Sequence, residues 1–145
     1  MSNDWFVGFR PNLTNPKNFR KFQHRVQVDI AAPLSQVFSA LISEEVISRV
    51  LDDTVRFDAR PGGKLRFLSS GDAGYGGTYS LIKVPTRVII VTERHGELDF
   101  RLSDKGPHTP ADIRATRMSD PEAKEQWIAL IEQIAQRLSH HVTEG

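Results

Sequence analysis

The sequence contains no cysteine, which excludes disulfide bonds, thiolate metal sites and a cysteine nucleophile. It also lacks an excess of charge of either sign, because 19 lysines and arginines face 18 aspartates and glutamates. A formal net charge of +1 gives no overall field that would attract nucleic acid or anionic lipid. No apolar run approaches the roughly 20 residues of a membrane span, and the first residues show no signal-peptide pattern. We therefore expect a soluble cytoplasmic protein that neither enters a membrane nor binds nucleic acid through net charge.

The length of 145 residues predicts one domain, and the apolar fraction, about 44% when glycine is counted and tyrosine is not, is close to the globular average of roughly 45–50%. The pattern changes near residue 25. From Arg25 onward apolar and polar residues alternate or repeat at helical spacing, so residues 25–145 are expected to form a single domain.

Residues 1–24 are predicted to form an extended arm, because Asn and Pro recur there and five aromatic residues follow neither the strand nor the helix period: Trp5, Phe6, Phe9, Phe19 and Phe22. Soluble monomers seldom expose contiguous apolar surface, so some of these aromatics should be buried over the mouth of the domain, on the outer face of the sheet or in a homodimer. The outer face is charged and therefore ranks below the other two, and the dimer is slightly favoured. The arm is also locally basic, which leaves contact with nucleic acid or an acidic partner as an alternative.

Secondary structure follows from hydrophobic periodicity. Val26, Val28 and Ile30 alternate with polar residues as in a strand, and two short helices are expected after Pro33 and from Glu44 to Leu51. Six further strands between residues 53 and 118 are joined by turns too short for a crossover helix, so the sheet is antiparallel.

A long amphipathic helix is expected at the carboxyl end. Ser119 and Glu122 have the spacing of a capping box, and an apolar stripe follows at spacings of three and four residues: Trp127, Leu130, Ile131, Ile134 and Leu138. This stripe needs an apolar partner, which the sheet supplies. The predicted fold is α+β, with a curved antiparallel sheet wrapped around the long carboxyl-terminal helix and two short helices after strand 1.

This order resembles the helix-grip fold of the START-like (SRPBCC) superfamily, and most closely the homologues of the activator of heat shock protein 90 ATPase. Val28 to Leu41 looks like the family's first strand and the "apxxxVWxAL" opening of its first helix, and Arg60 to Phe67 is similar to the "rpGGxxrf" hairpin. Gly77 to Thr92 resembles the "GxyxxvxPpxrlvxT" strand pair, and Trp127 to Leu138 resembles the "GWxxxLxxLxxxL" helix.

The sequence departs from the family pattern in three places. Val50-Leu51 stands where the family usually has a Trp, Gln126 replaces the Gly before the helix Trp, and the arm of residues 1–24 has no counterpart in single-domain members. The first departure argues against a pocket built on that missing Trp.

No motif indicates a metal or a cofactor. The glycine cluster from Gly71 to Gly77 leads into a strand and lacks the Gly-Lys-Ser/Thr of a phosphate loop, so it is interpreted as a hairpin rim. The five histidines are scattered without ligand spacing. Acid–base chemistry would have to rely on Tyr79, Thr92 or a rim group such as Asp58, Glu93 or His95, and no catalytic residue is assigned.

The leading functional hypothesis is non-catalytic binding of a small apolar or lipid-like molecule in a cavity between the sheet and the long helix. Tyr79 and Thr92 would supply polarity there. The predicted lining residues are Phe38, Leu41, Leu51, Phe57, Phe67, Tyr79, Leu81, Ile90, Thr92, Phe100, Trp127 and Ile131. Two alternatives stay open: the resemblance implies a protein-interaction module like the chaperone ATPase activator, or an enzyme like the polyketide cyclases and dehydratases.

Overall fold

The computed structural model describes residues 19–69 and 76–144. Its strands and α-helices, in chain order, are strand β1 (Arg20–Ile30), helices α1 (Leu34–Leu41) and α2 (Glu44–Val50), strands β2 (Val55–Phe57), β3 (Lys64–Phe67), β4 (Gly77–Lys83), β5 (Arg87–Thr92), β6 (Gly96–Leu102) and β7 (Thr109–Ser119), and helix α3 (Lys124–Glu144). None of the helices in these ranges is long and apolar enough to cross a membrane.

Within these ranges, the seven strands form one antiparallel sheet with the order β1-β7-β6-β5-β4-β3-β2. Strands β2 to β7 follow one another as a meander, and β1 pairs with the last of them over eleven residue pairs. The sheet buries one face against α3, whose Trp127, Ile131, Ile134 and Leu138 are all buried. The predicted helix-grip architecture is confirmed.

Strand β1 begins five residues earlier than the sequence pattern predicts, so residues 20–24 belong to the sheet and not to an arm. Arg20 pairs with Ser119 and His24 with Ala115. His24 faces α3, where its Nε2 lies 2.7 Å from a carboxylate oxygen of Glu132. Because the partner that satisfies this inward polar residue lies 108 positions away, local alternation did not reveal the strand.

The structure describes two of the arm's five aromatic residues, and these two differ in burial. Phe22 is partly buried against the core, with the Lys124 ammonium 5.0 Å from its ring centre, whereas Phe19 is 45% exposed. Trp5, Phe6 and Phe9 lie outside the described residues.

The start of the long helix also differs from the prediction. Ser119 is the last residue of β7 and donates to the Asp120 carbonyl, so it does not cap a helix. Asp120 takes that role, accepting from the Glu122 backbone N–H at 2.9 Å at the start of a 3₁₀ turn over Pro121–Ala123. Pairing of β7 with β1 extends the strand through Ser119, which moves the cap by one residue.

The second short helix has the predicted start. The Ser43 hydroxyl accepts from the Val46 backbone N–H at 3.3 Å, and Glu44 and Glu45 occupy the first turn, where carboxylates interact favourably with the helix dipole. This helix lies beside β2 and contributes Ile47 and Val50 to the core.

Candidate functional site

Ten of the twelve predicted lining residues have at most 6% of their surface exposed and belong to the core between the sheet and α3. Phe57 is partly buried at its edge and borders an open groove of about 660 Å³. The structure therefore brings these residues together as packed core, while the chamber expected among them stays a prediction.

Leu81 is the one predicted lining residue that does not pack against the described core, so its predicted inward position is wrong. A bulge between Tyr79 and Leu81 shifts the register, so Leu81 pairs with Ile89 and Ile82 pairs with the buried Val88. One extra residue in a strand exchanges the two faces for every residue beyond it. Ile82 consequently packs against the core in place of Leu81.

A polar centre lies inside this apolar core, at the turn between β5 and β6. Thr92 Oγ1 accepts from the His95 backbone N–H at 2.8 Å and also lies 2.8 Å from His95 Nδ1. The Trp127 indole N–H donates to the His95 carbonyl at 2.9 Å, which ties α3 to the turn. Three residues from two distant segments thus form one buried hydrogen-bonded unit.

His95 is fully buried, and within the described residues its Nε2 is the one buried side-chain nitrogen or oxygen without a hydrogen-bond partner. Burial is the largest cause that lowers the pKa of His95 to about 4, and the nearby guanidinium groups of Arg94, Arg117 and Arg137 contribute to the same decrease. The imidazole is therefore neutral at pH 7. An unpartnered buried polar atom costs free energy, so its presence calls for an explanation.

A second group of residues lies next to the imidazole. The Phe67 ring centre is 6.1 Å from that of His95, and the Arg94 guanidinium lies 4.6 Å from the centre of the Phe67 ring. Arg94 also pairs with Asp53 at 3.2 Å, and the Ser69 hydroxyl donates to the same carboxylate. Burial disfavours the Asp53 carboxylate, but these two donors outweigh burial and keep its pKa below the usual value.

Tyr79 forms a separate buried contact. Its hydroxyl donates to the Leu41 carbonyl at 2.7 Å, and its ring centre lies 4.8 Å from that of Phe57. Burial, with a smaller contribution from Glu44, raises the pKa of Tyr79 well above its ordinary range. The hydrogen bond of this hydroxyl therefore links β4 to the end of α1.

Sequence reasoning assigned His95 to an exposed turn and missed its burial. The signal that could have indicated this burial is Thr92, which lies three residues before His95 and just before the glycine turn. A threonine hydroxyl at this spacing accepts a hydrogen bond from the backbone N–H of the later residue. Asp58 and Glu93, the other rim candidates, are exposed. Across the described ranges, no three histidine or carboxylate side chains are grouped as metal ligands would be.

The family is decided by a comparison of the sequence with known families. The family described as activator of Hsp90 ATPase homolog 1-like protein matches residues 31–142. The chain belongs to this family. Its membership confirms the START-like resemblance, which rested on the first strand and helix, the hairpin, the strand pair and the long helix.

Solved structures with the same fold are distant in sequence. CalU16 from Micromonospora echinospora is similar with 21% identity and a TM-score of 0.58 in its solution structure, covering 80% of this chain and 65% of that chain. Its crystal structure has 19% identity and a TM-score of 0.54, covering 87% and 94%. A protein of unknown function from Staphylococcus aureus has 12% identity and a TM-score of 0.63, covering 88% and 96%. No protein with a curated description matches the sequence.

Proposed function

We propose that this activator-family domain binds a small, uncharged, largely apolar molecule between the sheet and α3, with one polar group of the ligand at His95. The observation that carries the proposal is the unpartnered Nε2 of a fully buried, neutral imidazole. Ligand sites are mostly apolar with a few polar groups that fix orientation. Here Phe67 and Trp127 supply apolar surface beside one such group.

The hydrogen bonds of Thr92 favour one tautomer of His95. Thr92 Oγ1 already accepts from the His95 backbone N–H, and the nearby acceptor for its own proton is His95 Nδ1. When the Thr92 hydroxyl donates its hydrogen bond to Nδ1, Nδ1 is the acceptor nitrogen of the neutral ring and Nε2 carries the ring hydrogen. The proposed ligand therefore carries a neutral acceptor, such as a ketone or ether oxygen, that receives this hydrogen.

The same groups support binding over acid–base catalysis. With a pKa of about 4, almost none of His95 is in the acidic imidazolium form at pH 7, and the neutral ring is a weak base. The Tyr79 hydroxyl donates to the Leu41 carbonyl, and the Asp53 carboxylate is paired with Arg94. Non-catalytic binding thus needs no group beyond those described, whereas a cyclase or dehydratase reaction needs a free acid or base.

The test uses two probes of nearly equal shape, 2-acetylnaphthalene and 2-ethylnaphthalene, with binding measured by thermal shift and native mass spectrometry. A ligand selective for the folded state must raise the melting temperature. We expect the ketone to bind about tenfold more tightly than the hydrocarbon, which corresponds to about 1.4 kcal/mol for one hydrogen bond.

The matched variants are His95→Phe and His108→Phe, because His108 is an exposed histidine outside the core. His95→Phe should remove the preference for the ketone, and His108→Phe should preserve it. The proposal fails if neither probe binds the wild-type protein, or if the preference survives in His95→Phe.

A second candidate function is a protein-interaction module, as the family's description suggests. The packing of ten predicted lining residues into the core favours it, since a filled core directs recognition to the surface. Failure of both apolar probes would make this candidate the leading one.

A further inference from the structure

The edge of the sheet formed by β2 and β3 carries an open groove of about 660 Å³ with an excess of positive charge. Four cationic side chains border this β2–β3 groove, Arg56, Arg60, Lys64 and Arg66, together with the carboxylates of Glu44 and Asp58. The chain as a whole has a formal charge of only +1, so this excess is a local feature.

Two of these arginines lie directly opposite each other on neighbouring strands. Arg56 pairs with Arg66 in the β2–β3 register, and both side chains are exposed. Neither forms an ion pair within residues 19–69 and 76–144. Like charges directly opposite each other on a sheet destabilise the strand pair. Among the residues that the structure describes, no carboxylate compensates the repulsion between Arg56 and Arg66, and a bound anion would do so.

The carboxylates of the groove do not provide that compensation. Asp58 pairs with Arg60 at 3.1 Å, and Glu44 Oε2 accepts from the Phe57 backbone N–H at 2.8 Å. Both carboxylates are bonded to groups other than Arg56 and Arg66, so within the described residues neither of these guanidinium groups has an anionic partner.

The backbone of the edge strand is closed to a further strand. The Val55 N–H donates to the Ser48 hydroxyl at 3.0 Å and the Phe57 N–H to Glu44, so side chains of α2 occupy the positions where an added strand would bond. A partner must therefore be recognised through its side chains. An open groove of about 660 Å³ has room for several residues of a peptide, and Glu44 and Asp58 lie among its cations, which disfavours the continuous phosphate backbone of a nucleic acid.

We propose that the β2–β3 groove binds an acidic peptide segment of a partner protein, whose carboxylates are held by Arg56 and Arg66. This inference gives the second candidate function a surface and a partner chemistry, and it does not depend on ligand binding at His95. The argument for an acidic peptide is charge complementarity, because bidentate hydrogen bonds between arginine and carboxylate are strong and directional.

The experiment measures fluorescence anisotropy of a labelled ten-residue peptide of alternating glutamate and serine, added to the full chain at low and at physiological salt. We expect Arg56→Gln/Arg66→Gln to weaken binding by about tenfold or more. The charge-matched control is Lys83→Gln/Lys105→Gln, which removes two exposed cations outside the groove and should alter the affinity by less than about twofold.

A folding defect is distinguished by the melting temperature. Removing two opposed like charges should leave the melting temperature of Arg56→Gln/Arg66→Gln unchanged or higher. The proposal is overturned if the wild-type protein does not bind the peptide, if both double variants lose affinity equally, or if a single-stranded oligonucleotide of equal charge binds more tightly. Failure of the naphthalene probes would leave this result unaffected.

Discussion

The indole N–H of Trp127 donates to the carbonyl of His95 at 2.9 Å, joining the long helix to the turn between β5 and β6. Residues 32 positions apart thereby fix the distance between the sheet and the helix that it surrounds. The same turn buries the imidazole on which the proposed ligand site depends, so the stability of the fold and the proposed site rest on the same contact.

Trp127→Ala should lower the free energy of unfolding by about 3–5 kcal/mol, because it removes a buried ring and leaves a cavity beside the sheet. Trp127→Phe should cost less, since most of the apolar contact remains and the hydrogen bond to His95 is lost. Urea unfolding followed by circular dichroism measures both. Equal stability of Trp127→Ala and the wild-type protein would contradict the structure.

His95 should make stability depend on pH. The folded state takes up a proton only near pH 4, whereas the unfolded chain does so near 6.5, so the unfolded state binds more protons between these values. The free energy of unfolding should be highest above about pH 6.5 and fall by up to about 3 kcal/mol as the pH drops to 4.

Urea unfolding at a series of pH values for wild type and His95→Phe measures this contribution. The variant should lack the decrease between pH 6.5 and 4. It should keep the loss at lower pH from carboxylates with lowered pKa values, Asp53, Asp99 and Asp112. Parallel curves for the two proteins would show that His95 titrates normally.

Tyr79→Phe should destabilise the protein by about 1–2 kcal/mol, because the Leu41 carbonyl then loses its buried donor while the contact with Phe57 remains. The variant should bind both naphthalene probes as the wild type does, because the wild-type hydroxyl already donates its hydrogen bond to the Leu41 carbonyl. Chemical denaturation and the thermal shift assay test the two statements separately. A large loss of probe binding would place Tyr79 in the ligand site.

Asp99→Asn should cost about 1–3 kcal/mol. Asp99 is 4% exposed, and Arg87 and Arg101 both donate to its carboxylate at 2.9–3.0 Å. Burial opposes its ionisation, but the two guanidinium groups prevail and keep its pKa below the ordinary value. The exposed Asp104→Asn is the matched control, with an expected change below about 0.5 kcal/mol by denaturant unfolding.

The arm prediction is tested by removing residues 1–18, because the strand begins at Arg20 and a later start would cut into β1. We expect the full chain to be a dimer and residues 19–145 a monomer by size-exclusion chromatography with light scattering. The reason is the cluster of Trp5, Phe6 and Phe9, which would otherwise be exposed apolar surface. Identical masses per chain for both proteins, together with equal probe binding, would exclude both a dimer contact and a lid.

Much of the fold could be predicted from the sequence because its signals are local. The stripe from Trp127 to Leu138 indicates a helix within one segment, and the alternation from Arg87 to Thr92 indicates a strand with the observed bounds. Short turns then allow only antiparallel neighbours, so the meander follows without knowledge of any distant contact.

The rest was decided by contacts between distant segments. Pairing with β7 extended β1 to Arg20 and took Ser119 into a strand, and the bulge after Tyr79 turned Leu81 away from the core. His95 became buried because Trp127 binds its carbonyl from a helix 32 residues away. The sequence by itself determined the order and type of the elements through hydrophobic periodicity. Tertiary structure alone decided register and burial, since these depend on partners that no local window contains.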